Sequence, residues 1–301
     1  MNGPPKSESE QVSLLLDRAR KDTFSRIGCL YTPDAEGLAR DRGTVTFVEF
    51  PTGKFVLTAR HIIRDRADPD APAVIALLPS DLPDVALDRS SVPRAAEFHI
   101  VPRGCLIWED EKLDIALLRP PADLIASSTI SWFDGEEAMR TMANIVRQKW
   151  KAADADGAPL ACWAVGFPNM GNIKHQASKI EILAAIPVPA YISVMDPLPL
   201  TAGGTPTQIQ VELDLTPADA LPQQEGGVLA AVSSHLRSGA DRESKAFGGY
   251  SGGPLVLVGR DRTCLFATIT AGGQLFGRPT AFATGIDDAM HAFQAGTSAV
   301  K

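Results

Sequence analysis

The spacing of apolar residues changes several times along this chain of 301 residues, and each change marks a different kind of element. Near the start, Ser7-Glu8-Ser9-Glu10 has the form of a capping box. Val12, Leu15, Leu16 and Ala19 then recur at helical spacing and predict an N-terminal helix. From Phe24 to Leu118 the pattern becomes short β-branched or apolar runs parted by Gly, Pro and Asp, at residues 27–31, 44–50, 55–58, 73–78, 97–101, 105–108 and 115–118. Short strands with regular turn signals predict an antiparallel sandwich or barrel.

Pro120 and Pro121 end that region. Asp134-Gly135-Glu136-Glu137 then reads as a helix start, and Met139, Met142, Val146 and Trp150 give it an apolar stripe before Asp156-Gly157 stops it. A second strand-rich region follows, with runs at 160–165, 179–186, 208–215, 255–258, 265–270 and 280–283, while Ala218 to Gly227 and Ser238 to Glu243 read as surface loops. Ile286, Ala289, Met290 and Phe293 return to helical spacing, with Asp287 and Asp288 in the first turn, where the helix dipole favours acids. The expected organisation is a helical extension over 1–23, a first β unit over 24–119, a helical connection over 120–157, a second β unit over 158–285 and a C-terminal helix over 286–301.

Composition narrows the function classes. Hydrophobic residues make up 45% and charged residues 22% of the chain, as in ordinary folded domains. A net charge of -7 and the lack of a basic stripe argue against nucleic acid as a partner, because binding phosphates needs clustered cations. Arg18, Arg20 and Lys21 fit a solvated helix face. No cationic segment leads into an apolar leader, and no window reaches the roughly 18 apolar residues of a membrane span, so a cytoplasmic protein without a membrane partner is expected. Cys29, Cys105, Cys162 and Cys264 lack metal-ligand spacing and read as buried structural thiols. Neither a metal nor a cofactor is expected.

Three segments carry candidate chemistry. Gly249-Tyr250-Ser251-Gly252-Gly253-Pro254 holds a serine between glycines ahead of an apolar run. A serine hydroxyl must lose its proton to a base as it attacks, and an imidazole oriented by a buried carboxylate is suited to take it. His61 follows the strand-like run 55–58 and precedes Ile62 and Ile63, which would anchor a short helical turn. Asp114 directly precedes Ile115-Ala116-Leu117-Leu118, so its charge needs a hydrogen-bonding or cationic partner. Glu109, Asp110 and Glu111 lack that setting and read as solvated loop charges. The N–H groups of Gly249 and Ser251 are candidate oxyanion donors. Taken singly, His61 also fits a hydrogen-bonded core histidine, and the glycine-rich stretch a tight turn before a strand.

Together, residues 56–61, 114–118 and 249–255 resemble the trypsin-like (chymotrypsin-fold) serine peptidases in the order His, Asp, Ser, and Ala164-Val165-Gly166-Phe167-Pro168 adds weaker support. The resemblance implies an all-β fold of two six-stranded antiparallel barrels with the catalytic triad in the cleft between them. It further implies endopeptidase activity on a protein or peptide substrate. Members secreted by animals commonly have cysteine after the histidine and aspartate before the serine, whereas this chain has Ile62 and Tyr250. The nearer comparison is with intracellular bacterial members. By the same resemblance, Lys245 would lie at the base of the pocket for the residue before the cleaved bond, and Thr270, Ala271 and Gly272 would form the substrate-pairing strand. Lys245 would favour an acidic substrate residue, yet Arg242, Glu243 and Ser244 beside it equally fit an exposed loop.

Two rival readings follow from the same residues. Gly249-Tyr250-Ser251-Gly252-Gly253 also fits the nucleophile elbow of α/β-hydrolases, but that fold needs a helix after the serine, where Pro254 begins a strand-like run. The stronger rival is a trypsin-like binding module, or one that stays inactive until an activating protein partner forms its oxyanion hole.

Overall fold

The computed structural model describes residues 22–33, 39–64, 72–77, 97–102, 104–140, 161–167, 186–192, 208–213, 249–258, 263–275 and 278–298. The expected N-terminal helix, the apolar stripe beyond residue 140, the loops at 218–227 and 238–243, and Lys245 lie outside these residues. The protein is mostly β. Ile27–Pro33 (β1), Ala39–Phe50 (β2), Gly53–Ala59 (β3), Ala73–Leu77 (β4), Glu97–Val101 (β5), Leu106–Asp110 (β6) and Ile115–Leu118 (β7) form one antiparallel sheet in the order β5-β4-β1-β2-β3-β7-β6. Phe133–Asp134 (β8) joins β2 in parallel and brings this sheet to eight strands. Ala161–Gly166 (β9), Ile186–Ile192 (β10), Gln208–Leu213 (β11), Pro254–Val258 (β12), Thr263–Leu275 (β13) and Arg278–Gly285 (β14) close into a barrel in the order β10-β11-β14-β13-β12-β9.

Largely antiparallel sheets in both units agree with the expected double-barrel class. Among the described residues the second unit closes with six strands. The first is an eight-stranded sheet whose path ends at β5 and β6 among the described residues. The added member is β8, a strand of two residues within the segment expected to be helical, whose described helices are Ala122–Ala126 and residues 135–140. Asp134 starts the second of these helices as its sequence suggests, its Oδ1 accepting the Glu137 N–H at 2.9 Å.

The apolar runs become strands because both of their faces find cover. All four residues of β7 and all five of β12 are buried. Leu57, Ile115 and Leu117 of the first sheet share one core with Trp163, Val165, Val256 and Leu265 of the barrel. A second core lies on the other face of the first sheet, built on Val45, Phe47, Val56 and Leu118. The helix Ile286–Ser298 buries Ile286, Ala289 and Met290 in the shared core, as its spacing predicts. Its Phe293 meets Phe55 of β3 and Trp108 of β6 edge-on, at centroid distances of 5.8 and 5.9 Å.

On β5 the alternation of exposed Phe98 and Ile100 with buried His99 and Val101 is that of an amphipathic strand. His99 Nδ1 lies 2.8 Å from Asp123 and Nε2 lies 3.1 Å from Glu97, which also accepts the hydroxyls of Thr129 and Ser127. Those two hydroxyls, Thr129 foremost, hold the Glu97 carboxyl below its ordinary 4.5 against the opposing effect of burial. The bond to His99 does the same for Asp123 below 3.8. A carboxylate whose pKa is lowered by folding adds stability above its unfolded pKa and loses it as pH falls through the folded one. Thermal melts followed by circular dichroism should therefore show a falling midpoint as pH drops below about 4.5. Glu97→Gln should lower the neutral-pH midpoint and flatten that acid slope, so an unchanged slope would count against the assignment.

Candidate active site

His61 sits in the helix Arg60–Arg64, which leaves the end of β3 and is anchored by buried Ile62 and Ile63. Asp114 ends the turn that precedes β7, and three hydrogen bonds join it to the start of that helix. Its carbonyl accepts the Arg60 N–H at 2.9 Å, Oδ1 accepts the His61 N–H at 3.0 Å, and Oδ2 lies 2.7 Å from His61 Nδ1. Asp114 thus has the hydrogen-bonding partner its sequence setting demands. Its φ of 52° lies in the left-handed region, which Asp and Asn tolerate better than most residues. The pair is about one-third exposed, at 34% for His61 and 32% for Asp114.

The acids next to Asp114 differ from expectation. Glu109 and Asp110 are on β6 and both are engaged. The Asp110 carboxylate accepts the N–H groups of Lys112 and Leu113, at 2.8 and 2.9 Å, and so shapes the turn that presents Asp114. From the barrel, Thr284 Oγ1 donates to the Leu113 carbonyl at 2.8 Å. Arg64 grips Glu109 through three bonds of 3.1, 2.8 and 2.5 Å, which hold that carboxyl below the ordinary glutamate range, and Arg60 Nε lies 3.4 Å away. Only Glu111, 83% exposed, matches the solvated reading.

Ser251 lies in a buried turn directly before β12. Gly249 and Gly252 have φ values of 94° and 87°, which glycine reaches without the penalty a side chain imposes. Each carbonyl from Gly249 to Gly253 is hydrogen-bonded, in turn to Thr44 Oγ1, Gly253 N–H, Thr44 N–H, Thr46 Oγ1 and Ile269 N–H. By contrast, the N–H groups of Gly249 and Ser251 donate no backbone hydrogen bond among the described residues. Among the described residues, two amides beside the serine thus lack a backbone acceptor. Tyr250, 1% exposed, lies against Gly166, where a Cβ would come within 2.8 Å of its ring. Burial pushes the Tyr250 phenol well above its ordinary range, so it stays neutral. Among the described residues, no hydrogen bond joins the Ser251 hydroxyl to His61.

The sequence reading missed Thr44, Thr46 and Thr58. All three are fully buried on β2 and β3, and the available signal was the pair Thr44 and Thr46 on either side of Val45 in an otherwise apolar run that continues to Val48. A Cβ on Gly252 would overlap the Thr44 carbonyl and the Thr58 hydroxyl. Gly252→Ala should cost about 3 kcal/mol, adding left-handed strain to overpacking. Gly104 has a similar φ of 81° with nothing within 4 Å of an added Cβ. Gly104→Ala should therefore cost only about 1 kcal/mol, and equal losses for the two in urea titrations would contradict the steric account.

Thr270, Ala271 and Gly272 are on β13. Its residues Thr263 to Thr268 pair with β12, and Ile269 exchanges hydrogen bonds with Gly252 and Gly253. From Ala271 to Leu275 the strand pairs only with β14 among the described residues, and Ala271 is exposed. Among the described residues, the other edge of β13 next to the serine turn has no strand partner.

Two antiparallel β units, with a His–Asp pair and a glycine-flanked serine turn along their seam, define the class of structure. A solved structure similar to this chain is that of a thermostable serine protease from an extremophilic microorganism, at 13% identity and TM-score 0.44, covering 91% of this chain and 98% of that one. No protein-family model matches the sequence, and no curated protein matches it.

Proposed function

We propose that this protein is a serine endopeptidase that cleaves peptide bonds through an acyl-enzyme at Ser251. The observation that carries the proposal is Asp114 bound to both the backbone N–H and Nδ1 of His61. An ionised carboxylate only accepts hydrogen bonds, so the proton resides on Nδ1 and Nε2 is left as the basic nitrogen. In the first step Ser251 Oγ bonds to the substrate carbonyl carbon as its proton passes to His61 Nε2. The oxyanion is met by the N–H groups of Gly249 and Ser251. His61 then returns the proton to the departing amine as the C–N bond breaks. Water then bonds to the acyl carbon as its proton passes to the same nitrogen, and the ester C–Oγ bond breaks as His61 returns that proton to Ser251 Oγ.

The edge of β13 that lacks a strand partner among the described residues supports a substrate bound as an added strand, its backbone pairing alongside Thr270, Ala271 and Gly272. Such pairing makes peptides rather than small esters the natural substrates. A second reading, a domain that waits for a partner, is favoured by the lack of a Ser251–His61 hydrogen bond, although such bonds often tighten only once substrate is present. Labelling with a fluorophosphonate probe separates the two. Wild type should react and Ser251→Ala should not, whereas a folded wild type that fails to react would favour the partner-dependent domain.

A further inference from the structure

The hydroxyl of Thr44 occupies the point where three functional segments meet. It donates to the Gly249 carbonyl at 2.5 Å and accepts the Phe167 N–H at 3.1 Å. The backbone of the same residue donates to the Ser251 carbonyl at 2.8 Å and accepts Thr58 Oγ1 at 2.8 Å. Thr58 is on β3, whose end leads directly into the helix bearing His61. A single residue of β2 therefore ties the serine turn of the barrel to the strand that delivers the histidine. All of these atoms are buried, where hydrogen bonds are least weakened by water and most costly to leave unmade.

We infer that Thr44 is a positioning residue for the reaction proposed above, holding the two peptide planes on either side of the one that carries the Ser251 N–H; this rests on that reading. The Ser251 N–H belongs to the same peptide plane as the Tyr250 carbonyl, which the Gly253 N–H holds at 2.8 Å. That plane is flanked by the carbonyls of Gly249 and Ser251, and both of these end on Thr44. Gly249 is the weak point, because a glycine at φ 94° has no side chain to oppose rotation. Its restraint comes from the Thr44 hydroxyl. Removing that hydroxyl leaves the turn folded on its remaining bonds while freeing the Gly249 carbonyl to swing.

The test compares wild type, Thr44→Val, which keeps the shape but loses the hydroxyl, and Thr44→Ser, which keeps the hydroxyl. Two readouts are used. The first is the limiting rate of fluorophosphonate acylation with the probe concentration for half-maximal rate. The second is deuterium exchange of peptic fragments covering residues 249–258. Thr44→Val should lower the limiting rate about ten- to a hundredfold with little change in half-maximal concentration, and Thr44→Ser should restore most of it. Exchange over 249–253 should rise in Thr44→Val and stay near wild type in Thr44→Ser. A Thr44→Val protein that loses thermal stability but acylates at the wild-type limiting rate would overturn the inference. Failure of wild type to acylate would instead reject the peptidase reading. The exchange data would still judge the clamp, since unchanged protection of 249–253 in Thr44→Val refutes it. If Thr44→Val does not fold, a Thr44→Ser protein with slowed acylation and wild-type exchange would equally refute it.

Discussion

Ser251→Ala is expected to lower turnover of a peptide substrate on the order of a million-fold, the largest effect of any single exchange in this protein. Alanine removes the attacking oxygen but leaves the carbonyl bonds of the turn to Thr44, Thr46 and Ile269 intact. Folding should therefore be unaffected, with thermal midpoints within a degree or two of wild type. The residual rate should still exceed the uncatalysed reaction about a thousandfold or more, because the oxyanion donors remain. Progress curves on a quenched fluorescent peptide, run at high enzyme concentration, would measure the difference. Cleavage that persisted undiminished in Ser251→Ala would place the chemistry elsewhere.

Asp114→Asn should cost about ten-thousand-fold, and the geometry gives a reason beyond the lost charge. The His61 N–H donates to Oδ1, so an asparagine there must turn its oxygen toward that N–H and its NH2 toward Nδ1. An NH2 group cannot accept, which forces Nδ1 to become the acceptor and puts the ring proton on Nε2. The histidine then faces the serine with a donor where an acceptor is needed. Because asparagine suits a φ of 52° as well as aspartate does, the exchange should leave the fold untouched. Nuclear magnetic resonance of the imidazole nitrogens would detect the tautomer directly, and an Nδ1–H retained in the variant would contradict this account.

Much of the β framework was legible because burial on both faces leaves a plain mark. The runs at β3, β5, β7 and β12 lie at or within a residue or two of where their apolar patterns begin and end. β10 was not legible. The expected strand at 179–186 overlaps the observed one only at Ile186, since Pro187 and Pro189 read as breakers. Among the described residues, Ile186 to Pro189 pair with β9 alone and Ala190 to Ile192 with β11 alone, an arrangement that tolerates a proline lacking an N–H on the other edge. β8 was missed because two residues carry no periodicity.

The same contrast holds at the site. His61, Asp114 and Ser251 stood out because charged or polar groups beside apolar runs require partners, and the structure joins the first two directly. Thr44, Thr46 and Thr58 did not, because a threonine in a strand is ordinary. For Thr44 and Thr46 the meaning arises only when a chain segment about 200 positions away, separated by 205 residues for Thr44 and Gly249, supplies the carbonyls, and Thr58 acts through the Thr44 carbonyl. Asp110 was misread for a similar reason. Its two bonds are to backbone N–H groups of its own turn, and backbone partners leave no trace in side-chain pattern.

The helix Ile286–Ser298 belongs by sequence to the end of the barrel, yet its Phe293 completes the aromatic contacts of Phe55 and Trp108 in the first sheet. During synthesis those two rings wait for a partner encoded far downstream. The N-terminal sheet therefore gains its Phe293 contacts only once the last helix has been made. A nascent chain arrested before residue 286 would carry His61 and Asp114 on a sheet still open to proteases and to holdase chaperones. Competence to cut other proteins would then arise only after the chain has ceased to be easily cut itself.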